Sequence, residues 1–237
     1  MRGVVTQNGK LELRDIDEPI PAAGQVLVRT LTCGICGTDL HARDHMHEFL
    51  TGLQRSGNPL PTQPEQGVVF GHEFCVETLD HGPVIGVDFS PGRRRFAEAV
   101  GADEVVDAAQ ESQASVWSRH GAGRKGRRAV VFECVGRPHI AQKIIDEVPR
   151  NALVVVVGNV LGDSSIDQVV AFNKELDICF TMNYSPAEFK QTLHDLAEGR
   201  IEAESIVTGI VGPEGVAQAF TDLADAERHA KIIVKFE

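Results

Sequence analysis

The chain has 237 residues, 34 Asp and Glu against 23 Lys and Arg, and a net charge of −11. A hydrophobic content of 42% is enough to bury a core and excludes a disordered chain, while five cysteines in this length exclude a disulfide-stapled scaffold. The acidic balance argues against nucleic acid as a partner, because phosphate binding needs clustered Lys and Arg, and no run reaches the ~18 uncharged apolar residues of a membrane span. The N-terminal MRGVVTQNGKLELRD lacks the apolar stretch of a secretory signal. An odd number of cysteines suits free thiols or metal ligands in a reducing compartment, so the expected location is the cytoplasm.

Residues 2–6 and 11–14 read as short strands around an Asn8-Gly9 hairpin turn. Residues 24–32 alternate apolar and polar side chains, the period of a half-buried strand. A Cys- and His-rich segment, 33–48, follows, and 67–78 returns to strand composition. From about residue 82 the pattern changes. Strands are predicted at 84–89, 104–106, 129–134, 152–157 and 176–181, with helices at 91–100, 138–148 and 186–198. Apolar strands alternating with helices predict a parallel sheet covered on both faces. An amphipathic helix, 213–224, and a strand, 231–236, come last.

The densest chemistry lies in CGICGTDLH (33–41) and GHE (71–73). Zinc takes thiolate, imidazole and carboxylate ligands in a tetrahedron, and a catalytic site keeps one position open. Cys36, His72 and Glu73 can supply three such ligands. The same residues also read as a Cys33–Cys36 redox pair or two small buried hydrophobes, with His72 a core histidine. His41 and His45 stand four apart, a spacing that suits a metal on a helix face, but solvated surface histidines are the commoner outcome.

These segments resemble the zinc-dependent medium-chain dehydrogenases, relatives of alcohol, sorbitol and threonine dehydrogenases. GQVLVRTLTCGICGTD is similar to that family's catalytic domain, and DFSPGRRRFAEAVGADEVVD to the second βα unit of its nucleotide domain. VVFECVG, VVVVGN, NKELDICF, LAEGRI and HAKIIVKF follow in family order. The resemblance implies an α/β chain with a GroES-like β-rich catalytic domain, truncated, over 1–81. An incomplete doubly wound (Rossmann-type) parallel-sheet domain would cover 82–205, and 206–237 would be a helix and strand returning to the catalytic domain. The implied activity is zinc-dependent hydride transfer between a small-molecule alcohol or polyol and NAD(P).

The resemblance also implies site roles. Cys36, His72 and Glu73 would ligate one zinc, with Cys33 a small packed residue. Asp39 would orient His72 by accepting its other ring N–H. Thr38 would hydrogen-bond the substrate hydroxyl, a role compatible with capping a helix, and His41 would pass the proton to solvent. The family's second zinc site, a lobe of four close cysteines, is absent, so no structural zinc is expected. Asp88 would accept hydrogen bonds from the adenosine ribose and repel a 2′-phosphate, with Arg93 beside it. Arg94 could accommodate a phosphate, but NAD is expected ahead of NADP. On its own, Asp88 reads equally as a cap before Ser90-Pro91. Val135 and Gly136 would line the cofactor cleft, Gly158 and Asn159 would approach the nicotinamide, and Lys231 would lie near the pyrophosphate. The plain alternative is turn glycines and a surface lysine.

The dinucleotide fingerprint G-x-G-x-x-G should stand roughly 20 residues before Asp88, between a strand and a helix. Val68 stands there instead. The one literal match, Gly121 to Gly126, precedes a strand and reads as a basic loop. CVETLDHGPVIGVDF therefore joins the GHE region directly to the second nucleotide strand, as an internal deletion would. The alternative function is a zinc-binding, catalytically impaired remnant without the glycine loop. Family members often pair through the nucleotide domain, so a homodimer or homotetramer through the sheet edge at 176–181 is expected.

Overall fold

A computed structural model describes residues 2–7, 10–17, 32–55, 83–121, 128–182 and 184–236. The predicted strands at 24–32 and 67–78 fall almost wholly outside the described residues, and so do His72, Glu73 and most of the 121–126 loop.

The N-terminal strands β1 (Arg2–Gln7) and β2 (Lys10–Asp15) pair antiparallel with Gln7 opposite Lys10, the register of a two-residue hairpin. The short β3 (Thr32–Gly34) leads into α1 (Gly37–Asp44) and α2 (Met46–Arg55). Among the described residues β3 does not pair with its sequence neighbours. It pairs antiparallel with β10 (Lys231–Lys235), with Cys33 opposite Val234. β10 also runs parallel to β9 (Val207–Val211), so the last strand lies in the middle of a three-stranded sheet.

The reason is burial. KIIVK alternates, and its buried residues Ile232 and Val234 face α8 (Val216–Leu223). That helix puts Val216, Ala219, Phe220 and Leu223 on one stripe. Ile35 completes this core, with Val4, Leu11 and Leu40 packed against it. The Arg43 guanidinium lies 5.8 Å over the Phe220 ring, adding a cation–π contact from α1.

Five parallel strands form two separate ladders. β4 (Ile85–Asp88) pairs with β5 (Glu104–Asp107), and β6 (Val130–Glu133) with β7 (Leu153–Val156), which pairs in turn with β8 (Asp177–Phe180). Among the described residues no ladder joins β4 to β6. A doubly wound sheet of order 3-2-1-4-5-6 would set its first strand at that break. Valine side chains at 130 and phenylalanine at 132 on β6 are exposed there. The two ladders are tied through helices instead. The Gln113 N–H, at the start of α4 (Gln113–Arg119), donates to Glu147 Oε2 at 2.6 Å at the end of α5 (Ile140–Glu147). The Lys143 ammonium lies 5.8 Å over the Phe89 ring, just past β4.

The second core lies under α5. Ile144 and Val148 meet Ala129, Ala152, Val154 and Val156, with Trp117 and Ile178 against them. Lys174 closes the end of α5 by donating to the carbonyls of Ile145, Asp146 and Val148 at 2.7–2.9 Å. Serine caps start α3 (Pro91–Ala99), α4 and α7 (Pro186–Ala197), and α7 has a full Ser185–Glu188 capping box.

Three elements were not anticipated: α4, α6 (Gln168–Asn173) and β9. The helices have seven and six residues, too few for a helical period to show, and depend on caps at Ser112 and Asp167. β9 reads VTGIV, and its central glycine masks a strand that exists because β10 offers it an edge. The predicted 213–224 helix is split: a 3-10 turn, Pro213–Gly215, leads into α8.

Candidate functional site

Three clusters carry the chemistry. The first sits where β3 passes into α1. Cys36 stands at the helix mouth, and its carbonyl accepts the N–H of Asp39 at 3.1 Å. Asp39 reaches back, its Oδ2 accepting the Cys36 N–H at 2.9 Å, as the acidic arm of a capping box does. Asp39 is 1% exposed. The cap is therefore Cys36 with Asp39, and Thr38 is the second helical residue rather than the cap. The side chains of Thr38 and His41 lie outside the described residues, as do His72 and Glu73.

Lys231, at the start of β10, places its Nζ 3.3 Å from the Ile35 carbonyl. Burial pushes its pKa down, and the charges of Cys36 and Asp39 push it back up. The structure thus sets this lysine beside the thiol cluster. The Cys33 thiol is pushed up, chiefly by burial and then by Asp39, which suits a packed thiol. Cys36 is half-buried at the N-terminus of α1, with the Lys231 ammonium and the Asp39 carboxylate both near it. That donor chemistry fits a metal-binding thiolate. Among the described residues no three His, Cys, Asp or Glu side chains converge on one point.

The second cluster lies at the C-terminal end of β4, where parallel sheets place their ligands. Asp88 ends the strand, and its Oδ1 accepts the Ser90 N–H at 2.8 Å. Its other oxygen makes no hydrogen bond among the described residues. Beside it opens a cavity of about 220 Å³ lined by Asp88, Arg93, Arg94, Phe96, Ala97 and Ala230. A carboxylate and an arginine lining the same open depression at the end of a parallel strand fit a ribose diol. Arg94 is committed elsewhere. It donates to the carbonyls of Asp88 and Phe89 at 2.7 and 2.9 Å and pairs with Asp107 at 3.2 Å.

The third cluster joins the ends of β6 and β7. Glu133 is 1% exposed, and its Oε1 accepts the N–H groups of Val135 and Gly136 at 2.7 and 2.9 Å. Its carbonyl accepts those of Val157 and Gly158 at 2.9 and 2.8 Å. Gly136 has φ +64°, the left-handed region that glycine enters at little cost. A Cβ on Gly158 would overlap the Gly136 nitrogen, so the two turns touch backbone to backbone. Val135, Gly136 and Gly158 are therefore brought together, and so are Asp88 and Arg93.

Sequence reading missed three residues here. Glu133 organises both turns, and its only trace was an acid ending an apolar strand. Asp107 ties down Arg94 from the end of the neighbouring strand. Glu227 reaches α3 from 135 residues away in sequence, a contact no local pattern encodes.

A model of the family described as zinc-binding dehydrogenase matches residues 77–198. The chain is 41% identical over 70 residues to (R,R)-butanediol dehydrogenase of Neisseria gonorrhoeae, a match covering 28% of this chain and 18% of that protein. It is 37% identical over 100 residues to L-threonine 3-dehydrogenase of Streptomyces coelicolor, covering 41% of this chain and 26% of that one. The matched stretches thus span only 18% and 26% of these relatives' length. A short chain alcohol dehydrogenase of Escherichia coli CFT073, solved in complex with NADH, superposes with a TM-score of 0.72 at 17% identity, covering 100% of this chain and 99% of that one. At that identity the likeness concerns the fold: α/β, a GroES-like β-rich part and a Rossmann-type parallel part. No helix among the described residues is long and apolar enough to cross a membrane.

Proposed function

This chain belongs to the zinc-binding dehydrogenase family, and from that premise we propose that it transfers hydride between a small alcohol or polyol and NAD, assisted by one zinc ion. The observation that carries the reading is the open depression of about 220 Å³ at the end of β4, which Asp88 and Arg93 both line. Asp88 would accept the adenosine ribose hydroxyls, favouring NAD over NADP, and Arg93 would cover the sugar. Val135, Gly136 and Gly158 would form the floor under the nicotinamide half, where Gly136 and Gly158 meet backbone to backbone. Lys231 would meet negative charge at the pyrophosphate or at Cys36.

Cys36, His72 and Glu73 would hold the zinc. Asp39 would fix Cys36 through its backbone N–H and accept a ring N–H of His72. A bound zinc would supply Lewis-acid polarisation of an alcohol oxygen, and a bound NAD a hydride acceptor. Thr38 would take the hydroxyl proton in a hydrogen bond, and His41 would carry it to solvent.

The domains would be 1–81, 82–205 and 206–237. Pairing of β10 with β3 supports the return of the last piece to the first. The chain would act in the cytoplasm as a homodimer or homotetramer joined at β8. That edge strand is flanked by Phe172, Phe180 and Met182, which are 67–82% exposed.

A second reading is a zinc-binding chain impaired in catalysis. It is favoured by the break between β4 and β6 among the described residues, the place of the strand that would carry a glycine loop. Metal analysis and an NADH fluorescence titration separate the two. The oxidoreductase reading expects about one zinc per chain, lost in Cys36→Ser and retained in Cys33→Ser, saturable NADH binding, and NAD reduction by some member of an alcohol and polyol panel. Zinc with no NADH binding up to millimolar favours the second reading. No zinc in the wild-type chain overturns both.

A further inference from the structure

Two of the anion-binding groups around the β4 cavity, the N-terminus of α3 and the Arg94 guanidinium, are already occupied from within the chain. The N-terminus of α3 is where a phosphate on the ribose would find backbone N–H groups and the positive end of the helix dipole. Glu227, from the segment between α8 and β10, sits there. Its Oε2 accepts the Gly92 N–H at 2.8 Å, and its Oε1 accepts from Ser90 Oγ at 2.6 Å. The approach requires glycine at 92: a Cβ there would stand 2.5 Å from Glu227 Cα and 2.7 Å from the Ala226 carbonyl oxygen. Arg95 adds an ion pair to the same carboxylate at 3.6 Å.

The cationic side is treated the same way. Arg94 is held by Asp107 and by two backbone carbonyls, leaving Arg93 as the lining arginine without an ion pair among the described residues. A neutral diol would need neither the helix terminus nor a second guanidinium. A dianionic phosphate would need both, and would meet the carboxylates of Asp88 and Glu227 instead.

We propose that Glu227 and Asp107 make this cavity selective for a coenzyme with an unmodified 2′-hydroxyl, by occupying the helix terminus and the arginine that a 2′-phosphate would use. The inference rests on the reading of the cavity as an adenosine-ribose site. It adds two residues outside that site's edge as specificity determinants, one of them on the C-terminal segment.

The test uses the full chain with two probes, adenosine 5′-diphosphate and adenosine 2′,5′-bisphosphate, and calorimetric binding as the readout. The wild-type chain should bind the 5′-diphosphate about tenfold or more tightly than the bisphosphate, the size that one uncompensated charge contact gives at a partly exposed site. Glu227→Gln keeps the shape and removes the charge, and Asp107→Asn releases Arg94. Each should tighten the bisphosphate several-fold and leave the 5′-diphosphate within about twofold. A preference that persists unchanged in both variants overturns this inference and leaves discrimination to Asp88. Equal binding of both probes by the wild-type chain overturns it as well. Binding of neither probe overturns the ribose-site reading itself, together with everything built on it.

Discussion

Replacing Gly158 by alanine tests the backbone contact that joins the ends of β6 and β7. The added methyl would overlap the Gly136 nitrogen and stand 2.6 Å from Glu133 Oε2 and 2.7 Å from the Gly136 Cα. Two of the three obstacles are backbone, and the third is a side chain pinned by two N–H groups. None can turn aside, so the two turns must separate and loosen the Glu133 hydrogen bonds. Overpacking of this kind costs about 1–3 kcal/mol, and rigid partners put the expectation at the upper end. At roughly 2–4 °C per kcal/mol for a chain of this size, Tm should fall by about 4–10 °C. Gly52→Ala is the matched control, because a Cβ there meets nothing within 4 Å in helix α2. It should hold or raise stability by up to about 1 kcal/mol. Thermal melts followed by circular dichroism measure both. A Gly158→Ala melt within about 1 °C of wild type would show that these turns are not in contact, and would sink the description of the cleft floor.

Ile144→Ala removes a buried side chain from the core under α5 and should cost about 2–5 kcal/mol in urea unfolding. A loss below about 1 kcal/mol would mean that this core is not packed around α5. Ser185→Ala breaks the α7 capping box and should cost about 1 kcal/mol, with Ser185→Asp recovering most of it. Asp195 accepts from Arg200 Nε at 2.8 Å and from Gln191 at 2.8 Å, and the arginine holds its carboxyl below the usual range. A depressed folded-state pKa adds stability above the unfolded value of about 4, lost as pH falls through the folded value. Arg200→Ala should therefore lower stability at neutral pH, flatten the slope below about pH 4, and converge with wild type in strong acid. Denaturant midpoints between pH 2.5 and 7 check this, and parallel curves for the two proteins would refute it.

The elements of the parallel part were legible because their signals are local. A run such as ALVVVV is apolar throughout because it forms the middle strand of its sheet with Ala152, Val154 and Val156 buried in the core under α5, and Ser90-Pro91 and Ser185-Pro186 mark helix starts at the residues where the helices begin. The candidate residues were named by the family resemblance of their motifs: by type alone Asp88 read equally as a cap and the glycines ending β6 and β7 as ordinary turns, and the capping of α1 by Cys36 with Asp39, in place of Thr38, emerged only in the structure. Short elements were not, since six or seven residues carry too few apolar positions to show a period, and α6 and β9 exist only because a cap or a strand edge receives them.

What the amino-acid order determined by itself is which residues can pair with water, metal or apolar neighbours, and hence the element types and the kinds of chemistry available. What only the tertiary structure decided is who meets whom across long separations. Lys231 stands beside Cys36 because β10 must insert between β3 and β9 to bury Ile232 and Val234. Glu227 caps α3 because the segment after α8 passes over a glycine. Arg94, which by type could serve a phosphate, is bound by Asp107 because β4 and β5 align their ends, with Asp88 opposite Asp107. Such pairings follow from burying apolar area in three dimensions, a sum over the whole chain that no local window of sequence contains.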